Sequence, residues 1–431
     1  MAIYKQSVSA KLGAGVMSIL SKLLDIGPLR SSPAFRWFWL GSTLSTFGSQ
    51  LTVVAVYYQV WEATGSGIAV GAVGLAQAIP MILGGLVGGT LADSMDRRTL
   101  VLLASCGQAV AAALLVVQAL AELGWLWPVL AAVAIQAACA GLGAPARRTF
   151  VARLLDSDQV AAGVALNHFS FQVAMLVGPV VGGFVVAAAG VQGCYLLDLV
   201  TFGAVLIGAW QLPRLAPLES SERAGLRSMW AGWRFIAKHR VLTGAFLSEA
   251  FSTVTAMPIA LFPMINAERF GGNPENLGLF FSAFAIGGVL AGALSGSVVR
   301  SERAGAIMLI ASLTWGAALT GFGLSHHLWL VLGFLAIAGA ADTISVISRG
   351  SIVQVATPDK YRGRVSSVEH VLGAAGPEVG NFRAGVVASA TSTSMSAISG
   401  GVSCVVLLVA LSIMNPRVRR FRIPVSKNPA A

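Results

Sequence analysis

Gly178-Pro179-Val180-Val181-Gly182-Gly183-Phe184 returns as Gly376-Pro377-Glu378-Val379-Gly380-Asn381-Phe382, 198 residues later in a chain of 431. An offset close to half the length places the two stretches at equivalent points of two copies of one unit. Each is apolar, rich in glycine and broken by a proline. Such a run persists as a helix where neighbours satisfy the freed backbone groups and small residues let backbones approach, as in a membrane bundle.

Composition agrees. Hydrophobic residues make up 56% of the chain and charged ones 11%, against roughly 25% charged in soluble proteins, so an ordinary water-facing surface is excluded. The 49 glycines suit close helix packing. Cys106, Cys139, Cys194 and Cys404 stand singly in apolar stretches with no CxxC pair, so neither a zinc site nor a disulfide framework is indicated. They read as small buried hydrophobes, and no metal or cofactor is expected.

A span needs about 20 mostly apolar residues. Twelve fit: 37–60, 66–91, 99–121, 126–143, 163–189, 192–211, 244–265, 277–299, 305–324, 328–347, 367–388 and 396–414, the eleventh being the most polar. The fold class is therefore an all-α membrane protein, with twelve transmembrane helices in two six-helix parallel repeats. The halves would face each other about an axis normal to the membrane, with the site between them. This divides the chain into an N-terminal tail 1–36, a first half 37–211, a linker 212–243, a second half 244–414 and a basic tail 415–431.

Lys and Arg set the orientation, because they gather in cytoplasmic loops. Of 29, only Arg269 falls in an outside loop and only Arg383 within a span, leaving 27 in the tails and loops of one side. Both termini are accordingly placed in the cytoplasm. The net charge of +11 thus faces anionic lipid, and no nucleic-acid partner is expected. Trp37, Trp39, Trp61, Trp125, Trp127, Trp210 and Trp329 fall near span ends, where indole rings prefer to sit, and Trp315 is the mid-span exception. No cleavable signal peptide is visible. Val16, Met17, Leu20, Leu23 and Leu24 recur at helical spacing beside basic residues, which fits either an amphipathic surface helix or an irregular tail.

Between the second and third spans, Gly89-Thr90-Leu91-Ala92-Asp93-Ser94-Met95-Asp96-Arg97-Arg98 sets a carboxylate and two guanidinium groups at a helix junction. It resembles the signature loop of the major facilitator superfamily, with Ser94 where Arg is common and Asp96 where Gly is common. The resemblance implies that Asp93 meets a helix end of the opposite half, and that Gly89, Asp93, Arg97 and Arg98 take part in conformational control. The equivalent stretch of the second half, Gly296 to Arg303, has no matching Asp.

Three stretches are similar to the enterobactin-exporter-like, transmembrane secretion effector branch: Pro145-Ala-Arg-Arg-Thr, Ala165-Leu-Asn-His-Phe-Ser and Thr357-Pro-Asp-Lys-Tyr-Arg-Gly-Arg-Val. Where that branch often shows NELGEF, this chain has Pro377-Glu-Val-Gly-Asn-Phe, keeping the first carboxylate and replacing the second by Asn381. The resemblance implies export of a siderophore or other amphipathic molecule against protons. Gly178, Pro179, Gly182 and Gly183 resemble the antiporter signature of the superfamily and join the residues of conformational control, although a packing kink serves import as well.

Ionisable groups inside a membrane cost roughly 2.5–3.5 kcal/mol on insertion scales, so each is a functional candidate. They are Asp198, Glu249, Asp342, Glu369, Glu378 and Arg383, all but the first in the second half. Burial favours the neutral form of a carboxylate, which lets it take up a proton near neutral pH. Glu378 is the first proton-coupling candidate, because it lies about 17 Å into its span and beside Pro377. Glu249 and Asp342 follow, nearer the inner face; a hydrogen-bonded structural carboxylate is the alternative for each. Glu369, at the inner boundary, reads as solvated. Glu378 and Arg383 are five residues apart, about 140° around a helix, and should not pair. Arg383 can snorkel outward, and with Asn167 and Gln172 it is a cavity candidate. A histidine such as His168 titrates in the useful range, but alone at a membrane boundary it reads as solvated, and His326 and His327, in an outside loop, carry no ligand signal.

No catalytic constellation and no GxxxxGK[ST] loop is present. An enzyme or a nucleotide-driven pump is therefore not expected. The reading is a monomeric secondary transporter of the bacterial inner membrane that exports a small amphipathic molecule, with protons as coupling ion. An importer or uniporter of the same fold, and a non-transporting receptor or scaffold, remain the alternatives.

Overall fold

A computed structural model describes residues 25–122, 124–213, 226–295 and 301–423. The expected N-terminal surface helix, the linker stretch 214–225 and the end of the basic tail lie outside the described residues, as do the side chains of Asp93 and Arg148.

The chain is helical throughout the described residues. Helices α1 (Pro33–Thr64), α2 (Gly67–Ser94), α3 (Arg97–Leu120) and α4 (Leu126–Leu154) run back and forth. The stretch Val160–Trp210 is two helices, α5 (160–189) and α6 (191–210), because Gly190 at φ 69° turns the chain between them. The second half continues with α7 (Arg240–Phe270, interrupted near Pro258), α8 (Pro274–Ala293) and α9 (Ala304–Leu324). It ends with α10 (Leu328–Ala356), α11 (Asp359–Ala390) and α12 (Thr393–Met414). Among the described residues, nine helices are long and apolar enough to cross a membrane, counting Val160–Trp210 once. The remaining two, α1 and α11, have 32 residues each, about 48 Å at the rise of an α-helix. Their length suffices, but the polar residues they carry keep them from reading as uniformly apolar.

The repeat extends beyond the glycine-proline motif. In the first half Gly84 lies on the backbone of Ala138 and Gly141 on that of Met81, crossing α2 with α4. In the second, Gly287 lies on Ala336 and Gly339 on Phe284, crossing α8 with α10. Large apolar side chains such as Leu83, Val117, Ile207 and Ile310 are exposed on the outside of the bundle, where lipid would cover them. Trp125, Trp127, Trp210 and Trp329 are exposed at helix ends, whereas Trp315 is buried with its ring edge-on to Phe284 at 5.7 Å.

Three spans run well beyond their apolar stretches. Helix α4 reaches Leu154, α10 reaches Ala356 instead of ending near residue 347, and α11 begins at Asp359 instead of near residue 367. Arg349, expected in a loop, therefore sits inside α10 with a side chain 7% exposed. The helix continues because carboxylates within the protein meet that charge, so no solvent loop is needed. In the linker, Leu226–Lys238 forms a short helix whose Ile236 is buried beside Val365 and Val368 of α11.

Candidate functional site

The basic residues define one end of the bundle. There Asp96 caps α3, its Oδ2 accepting from the Thr99 N–H at 3.2 Å and the Thr99 hydroxyl at 3.0 Å. This gives the Asp at the common Gly position a structural task. Arg98 donates to the Trp210 carbonyl at 2.6 Å, closing the C-terminus of α6, and Arg97 is buried. Gly89 faces open space, and the close approach to α4 is made by Gly84 and Gly88.

The halves are joined towards the opposite, far end, along two seams. On the α5–α8 seam, a Cβ on Gly183 would stand 2.6 Å from the Pro274 carbonyl, and one on Gly278 3.2 Å from the Cα of Val180. The Ser282 hydroxyl donates to the Leu176 carbonyl at 2.7 Å. Gly178 and Gly182 face α1 within their own half, so the four residues of the motif serve two interfaces. On the α2–α11 seam, a Cβ on Gly71 would stand 3.0 Å from the Asn381 carbonyl oxygen and from the Cα of Phe382. The Ile68 N–H donates to the Ser389 hydroxyl at 3.1 Å.

Glu378 lies on this second seam. Its carboxylate occupies room that Gly74 leaves free, since a Cβ there would run into Oε2. Asn381 donates to Glu378 Oε2 at 3.0 Å, and its own Oδ1 accepts from the Ala260 N–H at 3.2 Å. That amide is available because α7 stops at Ala256, passes Pro258 and a 3-10 turn at Ile259–Leu261, and resumes at Phe262. Asn381 is wholly buried. One amide side chain thus ties the seam carboxylate to the break in α7. Tyr57 of α1 lies within electrostatic range of Glu378.

A second group of charges lies in the second half towards the basic end. Arg349 of α10 pairs with Glu249 of α7 and reaches Glu369 of α11 at 3.9 Å. Beside it, the hydroxyls of Ser248, Ser312 and Ser345 form a chain at 3.2 and 2.9 Å across α7, α9 and α10. Asp342, half-buried on α10, belongs to none of the ion pairs among the described residues. Glu378 and Arg383 do not meet: Arg383 donates to the Ser396 carbonyl at 3.3 Å and lines a small pocket with Met257, Pro258 and Gly400. It turns towards α12 within its own half. Asn167 and Gln172 are half-buried on α5, and His168 is exposed. In the first half Asp198 is fully buried, accepting from Thr52 at 2.8 Å and Gln136 at 3.0 Å. Among the described residues no group of three His, Cys, Asp or Glu side chains could hold a metal.

Sequence reasoning missed Arg349 and the part played by Asn381. For Arg349 the signal was phase, since Ser345, Ser348 and Ile352 continue the buried stripe of α10 past its apolar run. For Asn381 it was Pro258, which interrupts the seventh span and leaves backbone groups to be satisfied.

A bundle of two six-helix repeats, joined by glycine-lined seams with a carboxylate set in one of them, is a membrane transporter of the major facilitator fold and not an enzyme. Within that class the chain belongs to the transmembrane secretion effector family, which it matches over residues 25–429. It is similar to the enterobactin exporter EntS of Escherichia coli O1:K1 / APEC. The two are 26% identical over 408 residues, which cover 94% of this chain and 97% of that one. In fold it is similar to a POT family transporter solved with 5-aminolevulinic acid, with a TM-score of 0.74 at 12% identity, covering 90% of this chain and 97% of that one. It also resembles the nucleoside transporter NupG, with a TM-score of 0.70 at 14% identity over 88% and 98% of the two chains.

Proposed function

We propose that the chain is a proton antiporter of the bacterial inner membrane, acting as a monomer with both termini cytoplasmic. It exports a small amphipathic molecule of siderophore or drug-like kind. The observation that carries this reading is the position of Glu378, a carboxylate set into the α2–α11 seam where the two halves join. The similarity to enterobactin exporters along nearly the whole chain supports the direction of transport and the kind of cargo.

With the basic end in the cytoplasm, the far end is the outer side, and the described conformation is joined there. Burying a charged carboxylate without a cation partner costs several kcal/mol, so charge on Glu378 opposes closing the seam over it. A proton taken up from the outer side removes that cost and lets the seam close. Cargo then enters from the cytoplasmic side, the proton leaves inward, and the charged carboxylate favours reopening. The halves 37–211 and 244–414 rock as the moving units. The loop from Gly89 to Arg98, with Asp93 and Arg97, and the motif at Gly178, Pro179, Gly182 and Gly183 set which conformations are stable. Glu249 and Asp342 are the further coupling candidates. Asn167, Gln172 and Arg383 are the polar candidates for the cavity.

The test is uptake of enterobactin, and separately of an amphipathic dye, into inside-out vesicles under an imposed pH gradient. We expect gradient-driven uptake by the native chain and none by Glu378→Gln. Uptake indifferent to the gradient removes proton coupling, and unimpaired gradient-driven uptake by the variant removes the assignment to Glu378. Failure of both compounds to accumulate removes the siderophore and drug-like reading of the cargo.

A further inference from the structure

Helix α11 carries carboxylates on both sides of Pro377. Glu378 follows the proline on the seam, and Glu369 precedes it by about two turns, facing Arg349. Around Pro377, α11 rests on α7 through two glycines, one on each side of the proline. A Cβ on Gly376 would stand 2.6 Å from the Thr253 hydroxyl, and one on Gly380 2.8 Å from the Met257 side chain. Helix α7 breaks immediately after that contact, at Pro258. Helix α7 is therefore broken where it touches α11, and α11, continuous from Asp359 to Ala390, lacks one backbone hydrogen bond there because Pro377 has no N–H to give, so the basic-side segments of both helices have a weak point at the same level.

On that side, one guanidinium holds three helices together. Arg349 pairs with Glu249 of α7, whose side chain is 11% exposed, and more loosely with Glu369, which is 32% exposed. Buried ion pairs of this kind add little stability, because desolvation offsets the attraction, and apolar replacements are often at least as stable. Their best-attested use is to fix one arrangement among alternatives. The charge balance here is uneven, with two carboxylates for one cation. Asp342 lies two turns before Arg349 on α10, His370 flanks Glu369 on α11, and α9 supplies the Ser312 hydroxyl. Glu369, at 3.9 Å and more solvated, is the member that lets go first.

We propose that Arg349 is a positioning residue for the transport cycle. Through Glu249 and Glu369 it holds the basic-side arm of α11, residues 359–376, against its own half. When the clasp opens, the arm turns about Pro377 towards the first half and closes the basic end. The linker helix Leu226–Lys238 travels with the arm, since Gly232 lies against the Arg364 carbonyl and Phe235 stacks on Tyr361 at 4.2 Å. The inference rests on the proposal that the halves alternate between two conformations, but it needs neither cargo nor a proton gradient to be read.

The experiment is pulsed electron paramagnetic resonance on the full chain in lipid nanodiscs. Spin labels are placed at the exposed Asp158 and Lys360, with the four cysteines replaced by serine. Glu369→Gln frees the arm while leaving the Glu249–Arg349 pair intact. The double variant Glu249→Gln with Arg349→Gln removes the clasp without stranding a buried charge. Both are expected to raise the ratio of short-distance to long-distance populations by about fivefold or more, the scale of a modest coupling between sites. Thermal unfolding of each variant in detergent identifies any that fails to fold. Folded variants whose distance distributions superimpose on the native one would overturn the proposal, because a merely structural ion pair would change the melting temperature and leave the distance alone. If these distances shift while vesicle transport ignores the pH gradient, the clasp stands and proton coupling falls; the converse result removes the clasp alone.

Discussion

Along the α5–α8 seam, Gly183 lies on the backbone of Pro274 and Gly278 on that of Pro179 and Val180. Along α2–α11, Gly71 lies on Asn381 and Phe382, and Gly74 on Glu378. The backbone contacts correspond, and so do the positions: Val180 and Gly183 of α5 stand where α11 has Glu378 and Asn381. One seam is held by glycine contacts and a serine bond, with the backbone of Glu275 against Gly183 at its far end and a valine at the position of Glu378. The other carries a carboxylate, an amide and a link to a broken helix. Duplication preserved the close approach of the helices, while divergence placed the ionisable chemistry in one copy. In the proposed cycle the α5–α8 seam serves as the passive hinge and the α2–α11 seam, with Glu378, as the part that responds to protons.

The most damaging way to erase this contrast is to put the carboxylate in both seams. Val180→Glu places a charge where no Asn381 equivalent exists, and is expected to destabilise the protein by about 2.5–3.5 kcal/mol. A large drop in the detergent melting temperature would show it, and a melting temperature near native would mean that the α5–α8 seam is as hospitable to charge as its counterpart. Next come wedges. Gly278→Leu and Gly71→Leu overpack one seam each, at a cost of about 1–3 kcal/mol. Both are expected to pry the far end open, so that the distance between spin labels at Ala63 and Met395 lengthens. A distance distribution equal to that of the native chain would show that glycine contact does not hold the seams.

Asn381→Ala is expected to have a comparable or smaller effect. It strands the Ala260 N–H and one Glu378 oxygen, costing about 1–3 kcal/mol for a buried group left unpaired, and is checked by hydrogen exchange around residues 257–262. Protection as in the native chain would mean that the amide does not link α7 to the seam. The smallest effect belongs to Gly89→Ala. Nothing lies within 4 Å of a Cβ there and the residue is inside α2, so the change should cost no contact and should stabilise the helix by about 0.5–1 kcal/mol. A loss of stability in the same melting assay would return Gly89 to the packing contacts.

Much of this contrast can be read from the sequence. The 198-residue repeat, the glycine spacing and the sided placement of Lys and Arg give the helices and their pairing, because lipid imposes length and polarity on every span. Glu378 stands out for the same reason, as a charge where charge is expensive. What the sequence conceals is which partner meets each polar group. Arg349 looks like one more loop cation until α10 is seen to run on to Ala356 and α7 to bring Glu249 against it. Asn381 looks like a lost carboxylate until the break at Pro258 presents the Ala260 amide to it. Both depend on contacts across more than 90 residues of chain, which local pattern does not encode. Gly88 is hidden in the opposite sense, since a familiar loop draws attention to Gly89 and does not reveal that its neighbour makes the contact with α4.

The central claim is that protonation of the polar seam governs whether the far end is joined. Spin labels at the exposed Ala63 and Met395, one on each half near that end, read the separation directly as pH is varied in the absence of cargo. The account predicts a distance distribution that shifts with pH in the native chain, the joined form gaining as pH falls, and that stays fixed in Glu378→Gln. A native distribution that does not move with pH, or a variant that moves as the native chain does, would contradict it.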